Sequence, residues 1–168
     1  MEAWIERYNQ ADVILEGVPA GTKETAAAAG IVVSSTSRRC LQSARHLDGD
    51  RTVLAEDIFC EADLPYLLWN YPRLPLAVFG IAFRLAWFCG FSANTESRAH
   101  ATARARMAAE RLIELASENG SVFLMGHGIM TILIAKHLLA WGWTGPRRPL
   151  DKHWQFSVYR APVAASDG

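Results

Sequence analysis

The chain has 168 residues, 51% hydrophobic and 20% charged, which suits one globular domain with a sizeable core and excludes a disordered chain. Its 17 basic residues balance its 17 acidic ones, so no overall charge steers it toward nucleic acid or an anionic membrane, and any anion binding must come from local placement. Cys40, Cys60 and Cys89 are odd in number and widely spaced, which fits neither a zinc site nor a disulfide framework and points to a reducing, cytoplasmic setting.

In chain order, the first ten residues (MEAWIERYNQ) have mixed charge and no apolar core, so they are not read as a signal peptide. Residues 2–10 read as a short amphipathic helix with Trp4, Ile5 and Tyr8 on one side. Residues 18–21 form a turn, and Thr22 is placed to cap an alanine-rich helix that stops at Gly30. Residues 31–35 are a β-branched strand that breaks at Ser34-Ser35-Thr36, and a helix follows over 38–47. Residues 52–59 alternate as a second strand. Next comes an irregular aromatic stretch with Tyr66, Trp69 and Tyr71.

Residues 74–90 are apolar nearly all round, but they are short for a membrane span of ~20 residues, carry Arg84 and are flanked by Pro72 and Pro75. They read as a buried helix, a lid over a site or a subunit contact. Asn94, Thr95 and Glu96 open the longest helix, which reaches about residue 117. Met107, Leu112, Ile113 and Leu115 form its stripe, and Arg98, Arg104, Arg106 and Arg111 are spread over other faces. Asn119–Gly120 ends it. A strand over 122–125, a helix over 129–141 and a last strand over 155–160 complete the pattern, with a flexible tail at 161–168. Strands alternating with helices predict an α/β sandwich with a largely parallel sheet, in a single domain over 1–168.

Two strand-to-helix junctions carry the chemistry. In VFLMGHGIMT, His127 stands between Gly126 and Gly128, at the carboxyl end of a strand and the amino end of a helix. Open α/β sheets bind ligands at such places, and helix N–H groups attract anions there. The other reading is a corner with an incidental histidine. In SSTSRRCLQSA a second strand runs into a helix with Arg38 and Arg39 at the junction. A guanidinium fork suits a phosphate, whereas a capped helix start with solvated arginines is the alternative. No metal site is expected, since His and acidic residues never fall at ligand spacing. No cofactor is expected either.

These segments resemble the histidine phosphatase superfamily, also called the phosphoglycerate mutase-like family. SSTSRRCLQSA resembles its SS-x-x-x-R-A-x-Q-T-A signature, FLMGHGIMTILIAKHLLAWGW its second histidine motif and following helix, and GPRRPLDKHWQFSVYR the closing strand of a bacterial subgroup. The resemblance runs from about residue 4 to residue 160. It implies a three-layer α/β/α sandwich in which Arg39 binds the phosphoryl group and His127 hydrogen-bonds it and stabilises its transition state. Ser34 and Ser35 lie beside the pocket, with Ser35, Gly126 and Gly128 among the substrate-binding positions. Glu61 is the implied proton donor, with Glu56 second, and residues 64–95 are the insert that covers the pocket. A proton donor should be partly buried among aromatic neighbours such as Phe59, Tyr66 and Trp69.

One departure matters. Family members open with an apolar strand ending in Arg-His-Gly, whose histidine is the nucleophile, and no Arg-His-Gly occurs in this chain. His46, His100, His137 and His153 read as surface or packing residues. The resemblance therefore implies weak or absent phosphatase activity and a sheet lacking its first central strand. The gap must be met by a second chain, by closure, by another segment or by a natural segment upstream of Met1. The expected function is a histidine phosphatase-type domain binding a phosphorylated small molecule. The alternatives are a non-catalytic anion- or partner-binding relative, or a repurposed acid–base enzyme using His127 and Glu61. A homodimer is the expected assembly, with neither nucleic acid nor membrane as partner.

Overall fold

The computed structural model describes residues 17–49, 52–62, 65, 76–150 and 152–162. The helix expected over 2–10, the aromatic side chains Tyr66, Trp69 and Tyr71, and the tail beyond residue 162 lie outside the described residues.

Short β-branched and apolar runs build the sheet. β1 (Ile31–Ser34) lies at its centre, with β2 (Leu54–Ala55) on one side and β3 (Val122–Met125) on the other, all parallel. Ile31 pairs with Val122 and Ser34 with Met125, so β1 and β3 end side by side. Alternation sends neighbouring side chains to opposite faces. Val33, with Val122 and Leu124, packs toward α4 (Arg98–Asn119) and α5 (Gly128–Ala140). Val32, Phe123 and Met125 pack toward α1 (Ala20–Ala28) and α2 (Arg38–Asp48). The result is the expected α/β/α layering around a parallel sheet buried on both faces.

Several expectations are corrected. Thr22 does not cap α1: Pro19 holds that position, and the buried Thr22 hydroxyl donates to the Trp154 carbonyl at 2.8 Å. The second strand is only Leu54–Ala55, because the chain tightens at once into a 3-10 turn at Asp57–Phe59. The long helix starts after Ser97, whose hydroxyl accepts from the His100 N–H. Its buried face is Ala101, Ala105, Ala108, Ala109 and Leu115, while Met107 is 53% exposed. Small side chains let α4 lie close against α5, where a Met would hold the helices apart. The apolar stretch forms α3 (Leu76–Phe88) but is not fully buried. Trp87 is buried, yet Val78, Ile81 and Leu85 face solvent.

Residues 155–160 form no strand. Only an antiparallel bridge between Thr144 and Arg160 survives, and Phe156 and Val158 are exposed. A strand pattern needs a neighbour to take its ladder, and among the described residues none lies alongside. β3 likewise pairs with β1 alone, and among the described residues no backbone partner meets its other edge. At the opposite end of the sheet Gly30 permits a close approach, since a Cβ there would stand 1.8 Å from the Asn119 carbonyl oxygen.

Candidate functional site

Because β1 and β3 are parallel and in register, the residues that follow them arrive at one rim. Ser35 follows β1, and Gly126 and His127 follow β3. His127 keeps extended backbone angles (φ −119°, ψ 154°) as the residue that precedes α5, and its carbonyl accepts from the Thr131 N–H at 2.8 Å and hydroxyl at 2.6 Å. This fixes the backbone and leaves the half-buried imidazole facing across the rim. There its Nε2 lies 2.8 Å from the Oγ of the fully buried Ser35.

The first turn of α2 supplies Arg39 and Cys40. Cys40 is a site residue that sequence reading missed. Its Sγ lies 3.4 Å from His127 Nε2 and 3.7 Å from the Gly126 carbonyl. Burial pushes the Cys40 thiol up from its ordinary pKa, while a hydrogen bond with Ser35 and the nearby Arg39 charge pull it down less strongly. Arg39 is half-buried, and its charge is felt at the thiol touching His127. The signal was present in the sequence, since Cys40 directly follows Arg39, but a cysteine in a helix says little before its partners are known.

Glu61 reaches the same rim from the segment after the 3-10 turn. Its Oε1 accepts from the Ala62 N–H at 3.0 Å and the Met130 N–H at 3.0 Å, and its Oε2 accepts from the Ile129 N–H at 3.3 Å. A carboxylate on the first turn of α5 complements its dipole, and each charge-assisted bond is worth about 1.5–3 kcal/mol. Glu61 thus acts there as an acceptor, on N–H groups that an anionic ligand would otherwise take. Glu56 lies apart, paired with Arg111 at 3.2 Å.

A clamp behind Glu61 was also missed. Arg104 donates from Nε and Nη2 to the Glu96 carboxylate (3.0 and 2.6 Å), from Nη1 to the carbonyls of Ile58 (3.1 Å) and Cys60 (2.6 Å), and from Nη2 to that of Glu61 (3.2 Å). Arg84 of α3 donates to the Ala62 carbonyl at 3.1 Å. No local pattern reveals this clamp, because the carbonyls lie 43 to 46 residues from Arg104 in sequence.

The flanking glycines differ. A Cβ at Gly126 would come within 3.1 Å of Thr131 Oγ1, whereas at Gly128 nothing lies within 4 Å. The remaining histidines are placed elsewhere. His137 Nε2 lies 3.2 Å from the Thr102 carbonyl, His153 tilts against Trp154, and His46 and His100 are exposed. An open groove of about 730 Å³ between Phe88, Arg98, Thr102, Arg106 and His137 contains none of the rim residues. Among the described residues no three His, Cys, Asp or Glu side chains gather to hold a metal ion. No described helix is long and apolar enough to cross a membrane.

Parallel strands ending at a shared histidine and serine rim, between two helical layers, make an α/β fold. Solved structures agree. A native mycobacterial glucosyl-3-phosphoglycerate phosphatase is similar over 71% of this chain and 63% of its own, with 23% identity and a TM-score of 0.53. The chain thus spans somewhat less than two thirds of that structure. The same mycobacterial enzyme in complex with VO3 matches over 86% of this chain and 82% of its own, with 21% identity and a TM-score of 0.54. A structure described as mycobacterial hydrolase 1 matches over 85% and 80%, with 22% identity and a TM-score of 0.52. The chain shares the fold of these mycobacterial phosphatase structures. No family model matches the sequence, and no curated protein does.

Proposed function

We propose that this chain is a histidine phosphatase-type domain that binds a phosphorylated small molecule at the rim of β1 and β3. Ser35, Arg39 and His127 hold the phosphoryl oxygens, with Gly126 and Gly128 beside them. The observation that carries this reading is the 2.8 Å contact between Ser35 and His127, which joins the two junctions at one place. The fold adds support, since one of the similar mycobacterial phosphatase structures is a complex with inorganic phosphate. Phosphomonoester hydrolysis is the ancestral activity. Transfer through a phosphohistidine needs an attacking imidazole in line with the leaving oxygen. Without Arg-His-Gly, His127 is left to hold charge rather than to attack, so this chain binds phosphate with weak or absent turnover, as a pseudoenzyme would. The setting we propose is cytoplasmic.

Glu61 is the acidic member of the site. To donate a proton to a leaving alkoxide it must first leave the N–H groups of Ile129 and Met130. That geometry favours the second reading, a non-catalytic anion-binding relative, over a repurposed acid–base enzyme built on His127 and Glu61.

Calorimetric titration with orthophosphate, run beside an aryl phosphate assay, tests the proposal. Binding that drops about tenfold or more in His127→Ala, with little or no turnover, is the expected result. Turnover that survives His127→Ala overturns the role given to this residue.

A further inference from the structure

We propose that Arg104 is a positioning residue for the anion site: it holds Glu61 on the N-terminus of α5 and so keeps the N–H groups of Ile129 and Met130 closed. The inference rests on reading the rim as a phosphoryl-binding site, and it adds a residue that the reading does not contain.

Five bonds of Arg104 match in number the N–H donors of a guanidinium, and they fall on two sets of acceptors. Glu96 takes two of them, through Nε at 3.0 Å and Nη2 at 2.6 Å. The rest fall on the carbonyls of Ile58, Cys60 and Glu61. An ion pair that merely fastened α4 would need Glu96 alone. Instead the fork spends its other donors on the backbone that leads into Glu61, and Arg84 secures the next carbonyl, that of Ala62. Both partners of the ion pair are largely covered, with side-chain exposures of 20% for Arg104 and 22% for Glu96, so water competes weakly for these bonds. With its backbone held, the Glu61 side chain has a short reach to Ile129 and Met130, at 3.3 and 3.0 Å. A lysine keeps the charge but is a single-point donor that cannot span these acceptors.

Glu61 and a phosphate compete for the same helix terminus. Releasing the segment opens two N–H donors and moves a negative charge away, so the loss of Arg104 strengthens phosphate binding. A residue that only supported the fold would weaken it when lost.

The test uses the full chain with orthophosphate as probe, followed by calorimetry and by amide hydrogen exchange. In Arg104→Lys and in Glu61→Ala, the Ile129 and Met130 amides should exchange about tenfold faster, with the Phe123 amide of β3 unchanged. Phosphate should bind roughly fivefold more tightly in both. Arg104→Lys made in the Glu61→Ala background should add nothing at these amides. If Arg104→Lys does not fold, Glu96→Gln weakens the same clamp and should shift both readouts in the same direction by less. Wild-type protection of Ile129 and Met130 in Arg104→Lys, with protection lost in Glu61→Ala, overturns the proposal. If both variants open these amides and phosphate affinity stays unchanged, the clamp stands and the phosphoryl reading of the rim falls.

Discussion

At Cys40, burial and charge pull in opposite directions. The side chain is 7% exposed, and desolvation raises its pKa more than the Ser35 hydrogen bond and the Arg39 charge lower it. The folded protein therefore holds the neutral thiol more tightly than the unfolded chain does. The resulting stabilisation is full below the ordinary thiol pKa of about 8.5 and is lost as pH rises through the raised folded value. Urea unfolding should show stability falling at alkaline pH, and Cys40→Ala should flatten that fall. An unchanged slope in Cys40→Ala would assign the loss to other groups. Alkylation offers a parallel reading, with exposed Cys89 modified well before Cys40.

Among the elements, β3 gives the sharpest expectation. Ile31 N–H donates to the Ser121 carbonyl at 3.2 Å, and the parallel register then turns the N–H groups of Phe123 and Met125 toward β1. Those of Val122 and Leu124 point to the edge that no described strand pairs with. Exchange rates along β3 should alternate accordingly, slow at Phe123 and Met125 and fast at Val122 and Leu124. Uniform protection along the strand would mean that something covers the edge.

The centre of this architecture was legible in the sequence because β1, β3 and the junctions after them are encoded locally, by short apolar runs (β-branched in β1) that end in Ser-Ser and Gly-His-Gly. The face of α4 was misjudged because alanine adds little to an apolar stripe, yet it is what lets two helices touch. The strand expected at 155–160 failed for another reason: its alternating pattern is present, but its ladder depends on a neighbour that only the whole sheet can supply. Arg104 and Glu96 were illegible because their roles are set by carbonyls far away in sequence. Cys40 stood inside a recognised motif, and only its 3.4 Å contact with His127 gives it meaning.

For the molecule as a whole, the outward side of α3 is the exposed counterpart of the core. Val78, Ile81 and Leu85 are 47%, 64% and 62% exposed, and Phe88 continues the row. Their 3-4-3 spacing is that of a helix seam. The only charge on α3, Arg84, is spent on Ala62 and the Trp87 ring, so nothing on this row favours a charged partner. A second copy of the chain is the partner we propose for it. Sedimentation equilibrium should show concentration-dependent dimers that Leu85→Glu dissociates without loss of helix content. A strictly monomeric wild type would rule this out.

The flank of β3 that no described residue pairs with has a directional consequence. Any guest segment zipping onto it can run either way, and the two polarities are chemically unequal. A guest running with β3 finishes beside the imidazole of His127 and brings its own last side chains there. A guest running the opposite way presents its first residues there instead.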